Sequence, residues 1–287
     1  MEALVNKIIL PSLVDGPGSR AAIFLQGCNL NCLYCHNPET QNLCSHCGEC
    51  VTTCQTGALL FNEGRVIFDE KRCIDCQNCI KACKINSSPK IRHYTTVGLL
   101  EAILPYQGFI EGVTFSGGEC TQQHEFLIAF GKLLHQRTNL TMLLDTNGLV
   151  DSAIMAELIA HSDGLMIDLK AFNPHNHQRL TKALNASIID NIRLVAAADK
   201  LAELRLTLIE GFNDDQAELR QYFDFAASLP GQFRLKLIPF SPFGVKGEFA
   251  DMLPYPQEKY DAAVVLGQSI LKDRILKVCY NWRKKYD

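Results

Sequence analysis

The stretch Arg20-Ala21-Ala22-Ile23-Phe24-Leu25-Gln26-Gly27-Cys28-Asn29-Leu30-Asn31-Cys32-Leu33-Tyr34-Cys35-His36 decides the reading of this chain. Its first half is an apolar run of strand length. Its second half carries three cysteines in C-x3-C-x2-C spacing. The loop leaving a strand's carboxyl end is where parallel α/β architectures gather their chemistry. A four-iron cluster held by three thiolates keeps one iron without a protein ligand, and an open coordination position separates a reactive centre from a closed structural one. Taken alone, the three cysteines also suit a zinc site or buried thiols.

From residue 96 onward, short apolar runs alternate with segments of helical period, the signature of repeated βα units. Strands are expected at 20–26, 112–115, 141–145, 164–169, 203–209 and 234–240, and helices at 96–106, 122–136, 152–161, 188–198, 214–228 and 258–271. Six such units fall short of the eight in a closed barrel. The expected class is therefore α/β, an open partial (β/α)6 barrel. Each strand runs into polar or cysteine residues: Cys28, Ser116-Gly117-Gly118-Glu119, Asp145-Thr146-Asn147-Gly148, Asp168-Leu169-Lys170, Glu210 and Ser241. One cup at the carboxyl ends can collect them all.

Residues 38–93 interrupt this pattern, so the barrel is expected from 1–37 and 94–287. The interruption holds Cys44, Cys47, Cys50 and Cys54, then Cys73, Cys76, Cys79 and Cys83, each run in C-x2-C-x2-C-x3-C spacing. That repeated spacing resembles two-cluster ferredoxins, where the fourth cysteine of each run ligates the other cube. The resemblance assigns Cys44, Cys47, Cys50 and Cys83 to one 4Fe–4S cluster, and Cys73, Cys76, Cys79 and Cys54 to another. The proline usual after the fourth cysteine is Gln55 in one run and Lys84 in the other. Zinc is the alternative for paired C-x2-C units. A segment this small needs a metal core to fold.

The composition bounds the rest. Of 287 residues 47% are hydrophobic, enough for a sizeable core, and the formal charge is −3. No basic field predicts nucleic-acid binding; Arg283-Lys284-Lys285 reads as a solvated terminus. No apolar run reaches the ~20 residues of a membrane span, and residues 1–7 lack signal-peptide character. A cytoplasmic location is expected, where thirteen cysteines read as metal ligands or buried thiols, not disulfides. Eleven fall before residue 84; Cys120, read as a buried thiol, and Cys279 stand apart. His93, His124, His135, His161, His175 and His177 have no catalytic context and read as surface or capping residues.

Cys28, Cys32 and Cys35, with Tyr34 before the last, resemble the radical S-adenosylmethionine (SAM) superfamily. Val14-Asp15-Gly16-Pro17-Gly18, Phe24-Leu25-Gln26-Gly27-Cys28 and Tyr34-Cys35-His36-Asn37-Pro38 resemble more specifically the glycyl radical enzyme activases, and the later strand-end motifs follow in that family's order. The insert points within it to the YjjW-type activases. The resemblance implies three 4Fe–4S clusters, one of them binding SAM, and reductive cleavage to methionine and a 5′-deoxyadenosyl radical that takes a hydrogen atom from a glycine of a partner enzyme. It places Gly117 and Gly118 where backbone nears the methionyl amino group, with Glu119 as that group's anion. It puts Asp168, Leu169, Lys170, Tyr34, His36 and Arg205 on SAM, Asp145 and Met166 beside its carboxylate where a monovalent cation can sit, and Asp15 against the partner peptide. Flavodoxin or ferredoxin is the implied electron donor. Ser241 replaces a family histidine near the ribose. Two other readings are a radical SAM enzyme acting on a small molecule, and a non-catalytic electron-transfer protein.

Overall fold

The computed structural model describes residues 1–277. Cys279 and the Arg283-Lys284-Lys285 run lie outside the described residues. In chain order the strands are β1 (Glu2–Ser12), β2 (Arg20–Leu25), β3 (Leu59–Asn62), β4 (Arg65–Phe68), β5 (Arg92–Thr95), β6 (Gly112–Gly117), β7 (Thr141–Thr146), β8 (Gly164–Asp168), β9 (Leu201–Leu208), β10 (Arg234–Pro239) and β11 (Ile275–Lys277). The α-helices are α1 (Asn78–Ala82), α2 (Thr96–Ile103), α3 (His124–Arg137), α4 (Ser152–Ala160), α5 (Pro174–Thr181), α6 (Ala186–Ala197), α7 (Gln216–Ser228) and α8 (Gln257–Leu271).

Alternation along the central strands builds one sheet with two different faces. Val113 and Phe115, Met142 and Leu144, Leu165 and Ile167, and Leu204 and Leu206 enter the main apolar core under the helices. Their neighbours Thr114, Ser116, Asp145, Asp168, Glu203 and Arg205 point the other way, because successive strand residues face opposite sides. The sheet runs β11-β10-β9-β8-β7-β6-β2-β1-β5, parallel from β11 to β2. All six expected strands appear, in the expected parallel arrangement, and the sheet stays open.

Three strands of this sheet were not expected. β11 extends the sheet beside β10, while β1 and β5 pair antiparallel beyond β2. β1 gives no clean alternation because register shifts interrupt it between Val5 and Lys7 and between Ile9 and Ser12. The helix α5 was also missed: it buries few apolar side chains, yet Asn173 caps it by accepting from the His175 and Asn176 amides, with Pro174 opening its first turn. Its inward face carries His177, which is fully buried instead of lying at the surface.

Between Asn42 and Ser87, which form an isolated bridge, the chain makes a separate unit with the β3–β4 hairpin and α1. It has its own small core of Cys50, Leu59, Val66, Cys79 and Ile80. No helix of the described residues is long and apolar enough to cross a membrane.

Candidate active site

The cysteine loop after β2 is fixed from three sides. Gly27 N and Cys28 N donate to Thr40 O and Gln41 O at 2.8 and 2.9 Å; Asn31 N and Leu33 N donate to Thr181 O and Leu180 O at 3.1 and 2.9 Å. Asn29 Nδ2 donates to Leu149 O at 2.6 Å. The end of α5 and the start of the insert thus grip the loop by its backbone.

Against it stands the end of β6. Gly117 has φ +119, and a Cβ there would come within 2.3 Å of Leu25 N and O; a Cβ on Gly118 would stand 2.3 Å from Gly27 O and 2.5 Å from Thr40 O. These glycines are required first by the protein's own backbone, at the seam between β6 and the cysteine loop. Glu119 likewise has a role within the protein itself. It is buried, and its carboxylate accepts from Thr121 N, Thr121 Oγ1 and Thr146 Oγ1 on one oxygen and from Asn147 N on the other. It ties the β6 and β7 loops together and has room left for one more donor on Oε2.

These loops enclose a cavity of about 440 Å³. Cys28, Cys32, Tyr34, Cys35, His36, Gly117, Gly118, Glu119, Asp145, Asp168 and Lys170 all line it. Leu169 does not: its side chain is in the apolar core, as alternation from Asp168 and Lys170 requires. Cys120 is fully buried, its thiol donating to Asp145 O. Ser241 lines the cavity, and His36 Nε2 donates to its carbonyl at 2.8 Å. Gln41 also lines the cavity, and the sequence reading missed it; its only signal was its place six residues past the last ligand cysteine.

A charged layer lies behind the cavity. Arg205 pairs with Asp145 at 2.9 Å and Glu203 at 2.8 Å, and donates to the Met166 sulfur at 2.9 Å. Arg205 is therefore a support for Asp145 and not a lining residue. The guanidinium stands on both residues expected to flank a monovalent cation. Burial pushes the Asp145 carboxyl up to about 6, against the pull of Arg205 and with help from Asp168 and Asp15. Asp168 is also partly desolvated, yet Lys170 at 2.5 Å and Arg205 outweigh that and hold it below the usual carboxylate range. Lys170 loses to burial and gains more from Asp168, so it stays charged.

The donor set fits iron–sulfur clusters. Burial pushes Cys28 and Cys32 up to about 12 and raises Cys35, with the Lys170 charge opposing all three, so loading metal here releases protons. Tyr34 lines the same cavity with its buried hydroxyl unpartnered. In the insert, Cys44, Cys47, Cys50 and Cys83 line one cavity of about 190 Å³, and Cys54, Cys73, Cys76 and Cys79 another. The two halves repeat each other closely. His46 N and Asp75 N each donate to the sulfur two residues earlier at 3.4 Å, from left-handed conformations of φ 55 and φ 53. Leu30 N does the same to Cys28 Sγ. Such N–H to sulfur bonds favour the thiolate that binds metal.

The turn holding Asp15 lies at the opposite end of β2 from the cysteine loop. Asp15 O accepts from Thr114 Oγ1 at 2.7 Å, and Gly16, at φ +119, packs against Leu143 and Met166. The turn therefore fills the polar face of the sheet beneath the charged layer, with Leu13 and Val14 exposed beside it.

Comparison with known proteins agrees with this geometry. Residues 22–223 match the Radical SAM superfamily. The chain is 31% identical to the benzylsuccinate synthase activating enzyme of Thauera aromatica, over 84% of this chain and 79% of that protein. It is 29% identical to the 4-hydroxyphenylacetate decarboxylase activating enzyme of Clostridioides difficile, over 85% and 84% of the two chains. A crystal structure of a domain of pyruvate-formate lyase-activating enzyme from Bacteroides vulgatus is similar at 29% identity and a TM-score of 0.51, covering 58% of this chain and 99% of that one. With its cysteine loop, strand-end motifs and open parallel sheet in the same order, the chain belongs to the radical SAM superfamily and, within it, to the glycyl radical enzyme activating enzymes.

Proposed function

We propose that this enzyme installs a radical on a glycine of a partner enzyme, using three 4Fe–4S clusters and SAM. The observation that carries the reading is the convergence of Cys28, Cys32 and Cys35 with Gly117, Gly118, Glu119, Asp168 and Lys170 on one cavity at the carboxyl ends of the strands. When bound there, the cluster and SAM supply reductive cleavage to methionine and a 5′-deoxyadenosyl radical, which takes a hydrogen atom from the glycine α-carbon.

This chain's own groups hold and orient. Lys170 stabilises the thiolates of Cys28, Cys32 and Cys35 by its charge. Glu119 Oε2 and the Asp168 carboxylate offer acceptors to the methionyl ammonium. The Tyr34 and His36 rings bound the cavity where an adenine fits. Asp15 and the exposed Leu13 and Val14 offer a contact for the partner's glycine loop. The paired four-cysteine cavities suit two further clusters that relay electrons from a flavodoxin or ferredoxin.

The test mixes anaerobic enzyme, SAM and reductant with a candidate glycyl radical enzyme and records electron paramagnetic resonance (EPR) spectra. A glycine-centred doublet dependent on all components is the expected result. Turnover of a small molecule without any partner protein would overturn the proposal. Cys32→Ala is expected to abolish 5′-deoxyadenosine formation while leaving the signals of the two insert clusters intact.

A further inference from the structure

Two different cysteine groups are joined by a short chain of bonds. Cys28 N donates to Gln41 O at 2.9 Å, and Gln41 lines the same cavity as Cys28, Cys32 and Cys35. Asn86 Nδ2 donates to Gln41 Oε1 at 3.0 Å, and Asn42 N donates to Asn86 O at 3.1 Å. The next residue, Ser87, donates its amide to Cys83 Sγ at 3.4 Å. Asn86 makes both contacts from a left-handed conformation, φ 51, which asparagine tolerates better than most residues. Gln41 and Ser87 are buried, at 6% and 1% exposure.

Ser87 carries a second, independent sign. Its hydroxyl is buried without a partner in the protein, and the residue lines the cavity formed by Cys44, Cys47, Cys50 and Cys83. A buried hydroxyl left unpaired costs about 1–3 kcal/mol. A sulfur-rich cluster in that cavity supplies the missing acceptor. The other cysteine group meets the barrel differently: Cys73 faces Lys7 and Glu39 across an open groove of about 250 Å³.

We propose that Gln41, Asn86 and Ser87 form the electron bridge from the Cys44–Cys47–Cys50–Cys83 cluster to the Cys28–Cys32–Cys35 cluster, with the Ser87 hydroxyl donating to the former. The inference rests on the activase reading above. Bonded paths couple redox centres better than gaps of the same length, which makes this group the immediate donor and the Cys73 group the outer one. Each event moves one electron: the Cys44-group cluster is oxidised by one and the Cys28-group cluster reduced by one, with no proton transferred. A low-potential one-electron flavin or iron–sulfur protein restores the loss through the Cys73 group.

The experiment uses the fully loaded enzyme. Hydrogen bonds to cluster sulfurs favour the more negative, reduced state. Ser87→Ala is therefore expected to shift only the Cys44-group cluster to a more negative potential in an EPR-monitored titration without SAM, and Ser87→Thr to restore it. Signals are assigned with Cys47→Ser and Cys76→Ser. No shift, or a shift confined to the Cys73 group, would overturn the role of Ser87. In freeze-quenched samples of fully reduced enzyme mixed with SAM, the Cys44-group signal is expected to decay before the Cys73-group signal, and more slowly in Asn86→Gly, which keeps the backbone conformation. Prior decay of the Cys73 group overturns the order. If the unaltered enzyme forms no 5′-deoxyadenosine, the activase reading fails, while the SAM-free titration still decides the assignment of Ser87.

Discussion

At the scale of single residues, the cavity is organised by one charge. Lys170 Nζ lies 2.5 Å from Asp168 and 5.8 Å from the Tyr34 ring centre, and its field lowers the cost of ionising all three loop thiols. Lys170→Met keeps much of the volume and removes the charge. Because groups just outside a metal's ligands typically contribute 10–100-fold to affinity or activity, a fall of about that size in 5′-deoxyadenosine formation is expected. It is checked by product assay alongside iron content, and an unchanged rate would refute the role. Asp145 gives a prediction in pH. Its carboxyl rises from the ordinary 3.8 to about 6, so the native state keeps a proton that the unfolded chain has already released. Stability of the metal-free protein therefore declines as pH climbs from about 4 to about 6. Urea titrations across that window should show a smaller decline in Asp145→Asn than in the parent; equal slopes would contradict the assignment. The cysteine ligands were legible in spacing alone. The engagement of Glu119 by Thr146 and Asn147 was not, since those partners meet it only when two loops are brought together.

At the scale of elements, the site depends on how closely β6 approaches the cysteine loop. Gly118→Ala would push a methyl carbon to within 2.3 Å of Gly27 O, a backbone atom that cannot rotate away. Overpacking and backbone shifts of this kind cost about 1–3 kcal/mol or more. The substituted protein is expected to melt several degrees lower and to lose SAM cleavage, while the insert's clusters still load. Calorimetry and EPR together separate the two effects, and a native melting temperature with full cleavage would sink the close-approach argument. The six central strands were readable because each is a compact apolar run feeding a polar loop. β1 and α5 were not: the first is interrupted by register shifts, and the second buries His177 and Thr181 beside a single leucine, Leu180.

At the scale of the whole molecule, the main core draws no buried residue from between Tyr34 and Leu99, and the insert has a core of its own. Asn42 and Ser87 stand side by side where the insert leaves and returns. Replacing residues 44–85 with a short flexible linker is therefore expected to leave the large sheet folded and SAM cleavage active with a chemical reductant, while reduction by a protein donor is lost. Iron should fall from about twelve to about four atoms per chain, as two missing cubes require. Failure to fold would show that the insert supports the cysteine loop beyond the Thr40 and Gln41 contacts. The sequence by itself determined the chemistry of the ligands, the strand-end order of the motifs and the existence of a doubled cysteine insert, because spacing and periodicity are local properties of the chain. Only the tertiary structure decided that Gly117 and Gly118 make room for backbone, that Arg205 serves Asp145 from behind, and that Gln41 and Asn86 join the Cys28 loop to the segment beside Cys83. Those facts depend on which distant segments meet, and a one-dimensional pattern carries no record of that.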